Sequence, residues 1–140
     1  MYVKIKKNFN YNTTLVVIIK KNYNKKIILI DRFIDSTIAY QHYGMGINKY
    51  LILNINKFIL GNIKPDLTFL NLVNKNNLKL RLKKRLNKNK YDKFSFSFYK
   101  KVQNGFKKQS KNNSKYIIVN SNNSIEDNKK LIINTIKKII

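Results

Sequence analysis

Apolar residues recur along this chain in two rhythms. Three short, nearly continuous runs occupy residues 26–31, 66–72 and 116–120, the second opened by Pro65 and the third following a polar stretch of Lys, Asn and Ser. Runs of this form predict strands buried on both faces of a parallel sheet. Elsewhere the spacing is helical. One segment, 47–60, has apolar positions at 47, 51, 55, 58 and 59, and further helical segments cover 76–86, 98–108 and 124–139. Glu126 and Asp127 suit the start of the last one. Its residues Leu131, Ile132, Ile133, Ile136, Ile139 and Ile140 predict a core-facing stripe. Residues 2–6 alternate like a further strand. Strand and helix therefore alternate, which predicts an α/β fold with a mainly parallel sheet and flanking helices. Across 140 residues there is neither a repeat nor a Gly, Ser or Pro-rich spacer, so a single folding unit, or part of one, is expected.

Composition narrows the chemistry. With no cysteine, disulfides, thiolate metal sites and redox chemistry at sulfur are excluded, and an intracellular, cytoplasmic protein is the simplest expectation. The early apolar run 15–19 is far shorter than the roughly 20 residues of a membrane span, so no membrane partner is expected. Thirty Lys and Arg against six Asp and Glu give a net charge of +24, a balance that ordinarily points to nucleic acid. The chain is saturated with Lys, Asn and Ile, whose codons are rich in A and T, and its lysines are spread along its length. Base composition therefore discounts that inference, and nucleic acid is not the expected partner. The same bias makes the three arginines, Arg32, Arg81 and Arg85, informative. They are candidates for positions that need a planar, bidentate cation.

Asp31 and Arg32 stand directly after the first run, where a parallel α/β sheet binds its ligands. Asp35, Ser36, Thr37, Tyr40 and Gln41 follow, supplying hydroxyls, an amide and an aromatic ring that can orient a base and sugar. The run Asp31-Arg-Phe-Ile-Asp-Ser-Thr-Ile-Ala-Tyr-Gln41, continued by Tyr43-Gly-Met-Gly46, resembles the thymidylate kinase pattern D-R-[FYH]-x-x-S-x-x-A-Y-Q-x-x-G-x-G. Lys64-Pro-Asp-Leu-Thr-Phe-Leu70 is similar to that family's K-P-D-L-T-x-L strand. Arg81, Arg85 and Asp92 resemble its lid more loosely, as residues 98–106 resemble its F-[HF]-x-x-V-R-x-G-[YF] helix. The likeness spans about residues 26–140, with 1–14 a divergent segment, 13–23 similar to the end of a preceding helix, and 15–140 a partial kinase-like domain.

That resemblance implies a three-layer phosphate-loop nucleoside-monophosphate-kinase fold and transfer of the ATP γ-phosphoryl group to dTMP, with Mg²⁺ bridging the phosphates. It implies that Arg32 binds the dTMP phosphate and that Asp31 arranges the metal and phosphate region, with no protein metal ligand assigned. Ser36, Thr37 and Gln41 would line the nucleotide pocket, with Tyr40 against the sugar. Arg81, Arg85 and Asp92 would serve the lid and ATP side, Arg85 stabilising transferred charge. His42 occupies a variable position and is expected to have a surface or packing role.

The family's G-x-x-x-x-G-K-[ST] loop has no counterpart here, because all four glycines, Gly44, Gly46, Gly61 and Gly105, lie after Arg32. Asn71 and Asn120 stand near positions where the family often has acids. The family's phosphate-loop strand lies centrally in its sheet, so its absence is expected to split the sheet unless residues 2–6 fill the gap. Three readings stay open: a kinase part active only with a complementing N-terminal fragment that supplies the phosphate loop, a non-catalytic remnant that binds nucleotide, and a small basic nucleic-acid-binding protein; a homodimer is the other partner the resemblance implies.

Overall fold

The computed structural model describes residues 3–4, 13–84, 86, 94–111 and 113–139. It divides into two compact units, Met1–Lys64 and Pro65–Ile140. Every strand pairing among the described residues is parallel and the connecting elements are helical, which gives an α/β fold.

In the first unit, β1 (Val3–Lys4) pairs with β2 (Ile28–Leu29), with Val3 opposite Ile28 and Lys4 opposite Leu29. The expected strand over 26–31 is thus only two residues long in the ladder, because its described partner is no longer. It is also not buried on both faces: Ile28 is half-buried and Leu29 is 53% exposed. Between the two strands runs α1 (Thr13–Asn22), whose Ile19 is buried and whose last turn is closed by Asn22 Nδ2 donating to Ile18 O at 2.8 Å. The short α2 (Ile34–Thr37) leads without a break into a π-helix, Ile38–Gly44.

The next helix, α3 (Lys49–Leu60), begins at Asn48, whose Oδ1 accepts from Tyr50 N at 2.8 Å. It ends at Gly61, whose φ of 64° is open to glycine without a Cβ penalty. Its helical spacing is as expected. Ile52 and Leu60 are buried, and with Asn56 between them they form an i, i+4, i+8 row. The row 51, 55 and 58 faces solvent, with Phe58 91% exposed.

In the second unit, β3 (Thr68–Leu72) pairs with β4 (Tyr116–Asn120) over five residues, from Thr68 opposite Tyr116 to Leu72 opposite Asn120. Both strands are found where the apolar runs place them. Leu70 and Val119 are buried. Helix α5 (Phe96–Ser110) buries Phe98, Val102 and Gly105, an i, i+4, i+7 stripe, and packs on β3. Gln103 Nε2 ties it to the end of that strand by donating to Val73 O at 2.7 Å. Helix α4 (Lys75–Lys84) starts at Asn74, whose Oδ1 accepts from Asn77 N at 2.8 Å.

Helix α6 (Ile125–Lys137) opens with an N-cap serine: Ser124 Oγ accepts from Asp127 N at 3.1 Å and donates to Asp127 Oδ2 at 2.6 Å. Its stripe is not core-facing as expected. No α6 residue is buried, Leu131 and Ile133 are about 40% exposed, and of the described stripe residues only Ile132 and Ile136 are half-covered. A helix resting on one strand of a two-stranded pair has too narrow a surface beneath it to cover the whole stripe, and Ile140 lies outside the described residues.

Leu70→Ala is expected to cost about 2–5 kcal/mol of unfolding free energy. Ile118→Ala, on the 47% exposed side of β4, should cost under about 1 kcal/mol, a difference readable from urea midpoints.

Candidate functional site

Two polar clusters lie beyond the carboxyl ends of the strands, one in each unit. In the first unit, the chain leaves β2 and bends at Asp31 and Arg32, both exposed. Arg32 has φ 68°, the only non-glycine residue with positive φ among the described residues. A left-handed backbone costs an L-residue roughly 1–2 kcal/mol, and such strain concentrates where a side chain must be aimed. The turn throws the guanidinium back over the Tyr40 ring, 5.2 Å from its centroid, a cation–π contact that holds the fork.

Phe33 follows in extended conformation and its carbonyl accepts from Ser36 N at 3.0 Å, starting α2. Ser36, Thr37, Tyr40 and Gln41 stand at i, i+1, i+4 and i+5, which gathers them on one helical face. All four are half-buried, over the fully buried Ile38 and Ala39. The helix is wound in the π manner where Tyr40 and Gln41 stand, with Met45 N donating to Tyr40 O at 3.0 Å. Such widened turns recur at functional sites because they re-aim side chains. Gln41 Oε1 is buried with no hydrogen-bond partner among the described residues, an orphan acceptor of the kind a bound donor satisfies.

The loop after this face is fixed by backbone bonds, with Gly46 N donating to His42 O and Ile47 N to Gln41 O, each at 2.9 Å. Gly46 has φ 82° and needs to be glycine, whereas Gly44 ends the π-helix without that requirement. His42 Nδ1 lies 2.9 Å from Ile47 O. A carbonyl only accepts, so Nδ1 carries the proton and His42 pins the loop.

In the second unit, asparagines fill the space beyond β3 and β4. Ser121 N extends the ladder by donating to Leu72 O at 2.8 Å. Asn122 Oδ1 accepts from Asn74 N at 3.1 Å and Asn77 Nδ2 at 3.0 Å, while its Nδ2 donates to Asn120 Oδ1 at 2.6 Å. The start of α4 is thereby clamped to the loop after β4. Arg81 Nη2 donates to Ser121 O at 2.6 Å. The planar guanidinium so held lines an open groove of about 440 Å³ whose other walls include Asn123, Ile125, Asn128 and Ile132. Arg85 and Asp92 lie outside the described residues, and no group of three or more His, Asp or Glu that could hold a metal occurs among the described ones.

The family model described as thymidylate kinase matches residues 9–132. The chain belongs to the thymidylate kinase family. The match begins well upstream of the motif at Asp31, so part of the poorly recognisable N-terminal stretch is family sequence too. Among curated relatives, the thymidylate kinase of Wolbachia sp. subsp. Brugia malayi is 36% identical over 115 residues, 81% of this chain and 54% of that protein. The thymidylate kinase of Wolbachia pipientis wMel is 45% identical over 82 residues, 58% of this chain and 39% of that one. The crystal structure of thymidylate kinase from Ehrlichia chaffeensis superposes with a TM-score of 0.58 at 30% identity, covering 89% of this chain and 57% of that one. The chain spans about half the length of the curated relatives it matches.

Within this family member, sequence reasoning found the residues of the first cluster and missed the asparagine clamp of the second. The signal is present in Asn120-Ser-Asn-Asn123 at the end of a strand, where Asn120 stands near a position at which the family often has an acid. The structure gives Asn120 a bonding role instead, its Oδ1 accepting from both Asn122 N and Nδ2.

The strain at residue 32 reverses the usual ranking of small substitutions. Arg32→Gly should be more stable than Arg32→Ala by about 1 kcal/mol in urea unfolding, since glycine alone adopts φ 68° without cost.

Proposed function

We propose that this chain supplies the dTMP-binding and lid-side residues for ATP-dependent phosphorylation of dTMP to dTDP. The observation that carries the reading is the aimed Arg32, strained in its backbone and seated over Tyr40, on the segment that also presents Ser36, Thr37 and Gln41. In this reading Arg32 grips the dTMP phosphate with its fork. Ser36, Thr37 and the orphan Gln41 Oε1 meet the base and sugar, and Tyr40 packs where a ribose 2′-hydroxyl would crowd it. Arg81, anchored at Ser121 O and lining its groove, takes the ATP side against base or phosphates. Arg85 and Asp92 belong to the same lid reading by resemblance.

Phosphoryl transfer asks a protein for positioning and charge neutralisation. The side chains fit Mg²⁺ held chiefly by nucleotide phosphates and water, because Asp31 offers one exposed carboxylate beside Arg32 and Mg²⁺ sites need only one or two. When bound, the ion neutralises charge on the phosphates. Asp31 orients what approaches Arg32, and Arg32 holds the acceptor phosphate in line. No G-x-x-x-x-G-K-[ST] stretch occurs in these 140 residues, so turnover needs that loop from a complementing segment. A second reading, nucleotide binding without catalysis, rests on the same observation.

The experiment is calorimetric titration of the chain with dTMP, followed by an assay of dTMP-dependent ADP formation with and without a separate strand–loop–helix polypeptide carrying the phosphate loop. Binding of dTMP by the chain, lost in Arg32→Ala, and turnover only in the mixture are expected. Binding without turnover in any mixture would leave the non-catalytic reading, and no dTMP binding at all would sink both.

A homodimer is the other partner proposed. The outward row Leu51, Ile55 and Phe58 of α3 is large, apolar and exposed, and Phe58→Asp is expected to give a monomer in sedimentation where the unaltered chain gives a dimer.

A further inference from the structure

Away from both clusters, α4 and α5 form a second groove, of about 230 Å³, lined by Lys75, Leu78, Phe96, Lys100, Gln103 and Asn104, with Lys107 at its end. Lys75 Nζ and Lys79 Nζ stand 5.3 and 5.5 Å from the centroid of the Phe96 ring. Helix α4 carries five cationic residues and α5 four, and neither carries an acid. Lysines scattered by base composition would leave solvated, separated charges. Here Lys75 and Lys79 of α4 stand over one aromatic ring while Lys100 and Lys107 of α5 line the groove beside it, with no lining carboxylate among the described residues.

We propose that the α4–α5 groove binds single-stranded nucleic acid. Lysines four and seven residues apart on a helix are separated by about 6 and 10.5 Å of rise, a reach that suits successive phosphates rather than one. The groove is smaller than the roughly 300–1,000 Å³ of sites that enclose a whole small ligand, which fits one base of a polymer lying across it. Phe96 supplies the stacking face. An ammonium–ring contact at an exposed site is weak, so the lysines exchange it readily for phosphate oxygens. Asn104 and the Gln103 carbonyl oxygen, whose amide nitrogen is committed to Val73 O, offer polar edges to that base. Bases stacked inside a duplex cannot reach the ring, which selects single strands.

The test is fluorescence anisotropy of a labelled oligothymidylate with the full chain, across a salt series. Four lysines predict a slope of log K against log salt of about −2.8. Lys75→Gln with Lys79→Gln should make it shallower by about 1.4. Phe96→Leu should weaken binding at least about fivefold with the slope unchanged. Lys130→Gln with Lys137→Gln, equal charge removed from α6, should alter neither, and circular dichroism checks that each variant is folded. The proposal is overturned if the α6 pair lowers affinity as much as the groove pair, if Phe96→Leu has no effect, if a duplex of equal length binds as tightly, or if saturating dTMP displaces the oligonucleotide.

Discussion

A parallel ladder cannot be closed by a tight turn, and that constraint organises each unit of this protein. Successive strands must be joined by a crossover long enough to hold a helix, so the loop after every strand emerges at the same end of its pair. The bend at Asp31 and Arg32 leaves β2 in this way, and the Asn120–Asn123 loop leaves β4 in this way. The polar side chains of both clusters gather at strand ends because the backbone hydrogen bonds of the interior are already taken, whereas the first residues outside the ladder are free to turn and to point.

What each unit does with that freedom differs. At β2 the chain accepts a left-handed residue and a widened helical turn within a dozen residues, two departures from low-energy geometry that together bring a guanidinium, a ring and an unsatisfied amide oxygen into one neighbourhood. At β4 it accepts no strain. Side-chain amides replace charge there: Asn122 bonds to Asn74, Asn77 and Asn120, and the loop is held by neutral groups that donate and accept at once. A chain poor in acids can still build a rigid polar loop, because an amide supplies the acceptor that a carboxylate would.

Legibility in the sequence followed the strength of the physical signal. The second and third apolar runs became β3 and β4 because the two strands pair over their whole five-residue length, although Ile118 stays 47% exposed. The first run pairs over two residues with the described part of its partner, and the length of that partner is not written in residues 26–31. The exposure of the α6 stripe, and the choice of buried side on α3, have a related cause. Periodicity tells that a helix has an apolar side, but which side is buried depends on what lies opposite, and Ile52 and Leu60 won over the longer row at 51, 55 and 58. The motif at Asp31 was plain since its residue types are unusual in a Lys, Asn and Ile-rich chain, while the asparagine clamp was hidden by the very abundance of asparagine.

The outward row on α3 bears on how the protein behaves as a solute. Exposed leucine, isoleucine and phenylalanine attract one another whenever two molecules approach, and a net charge of +24 carried by every copy opposes that approach. That repulsion acts over a Debye length of about 10 Å at 0.1 M salt and about 3 Å at 1 M. Ionic strength therefore governs whether the apolar row meets only water or another molecule. The lysines that an AT-rich composition strews over the surface act, in dilute salt, as the colloidal guard of a helix turned partly inside out.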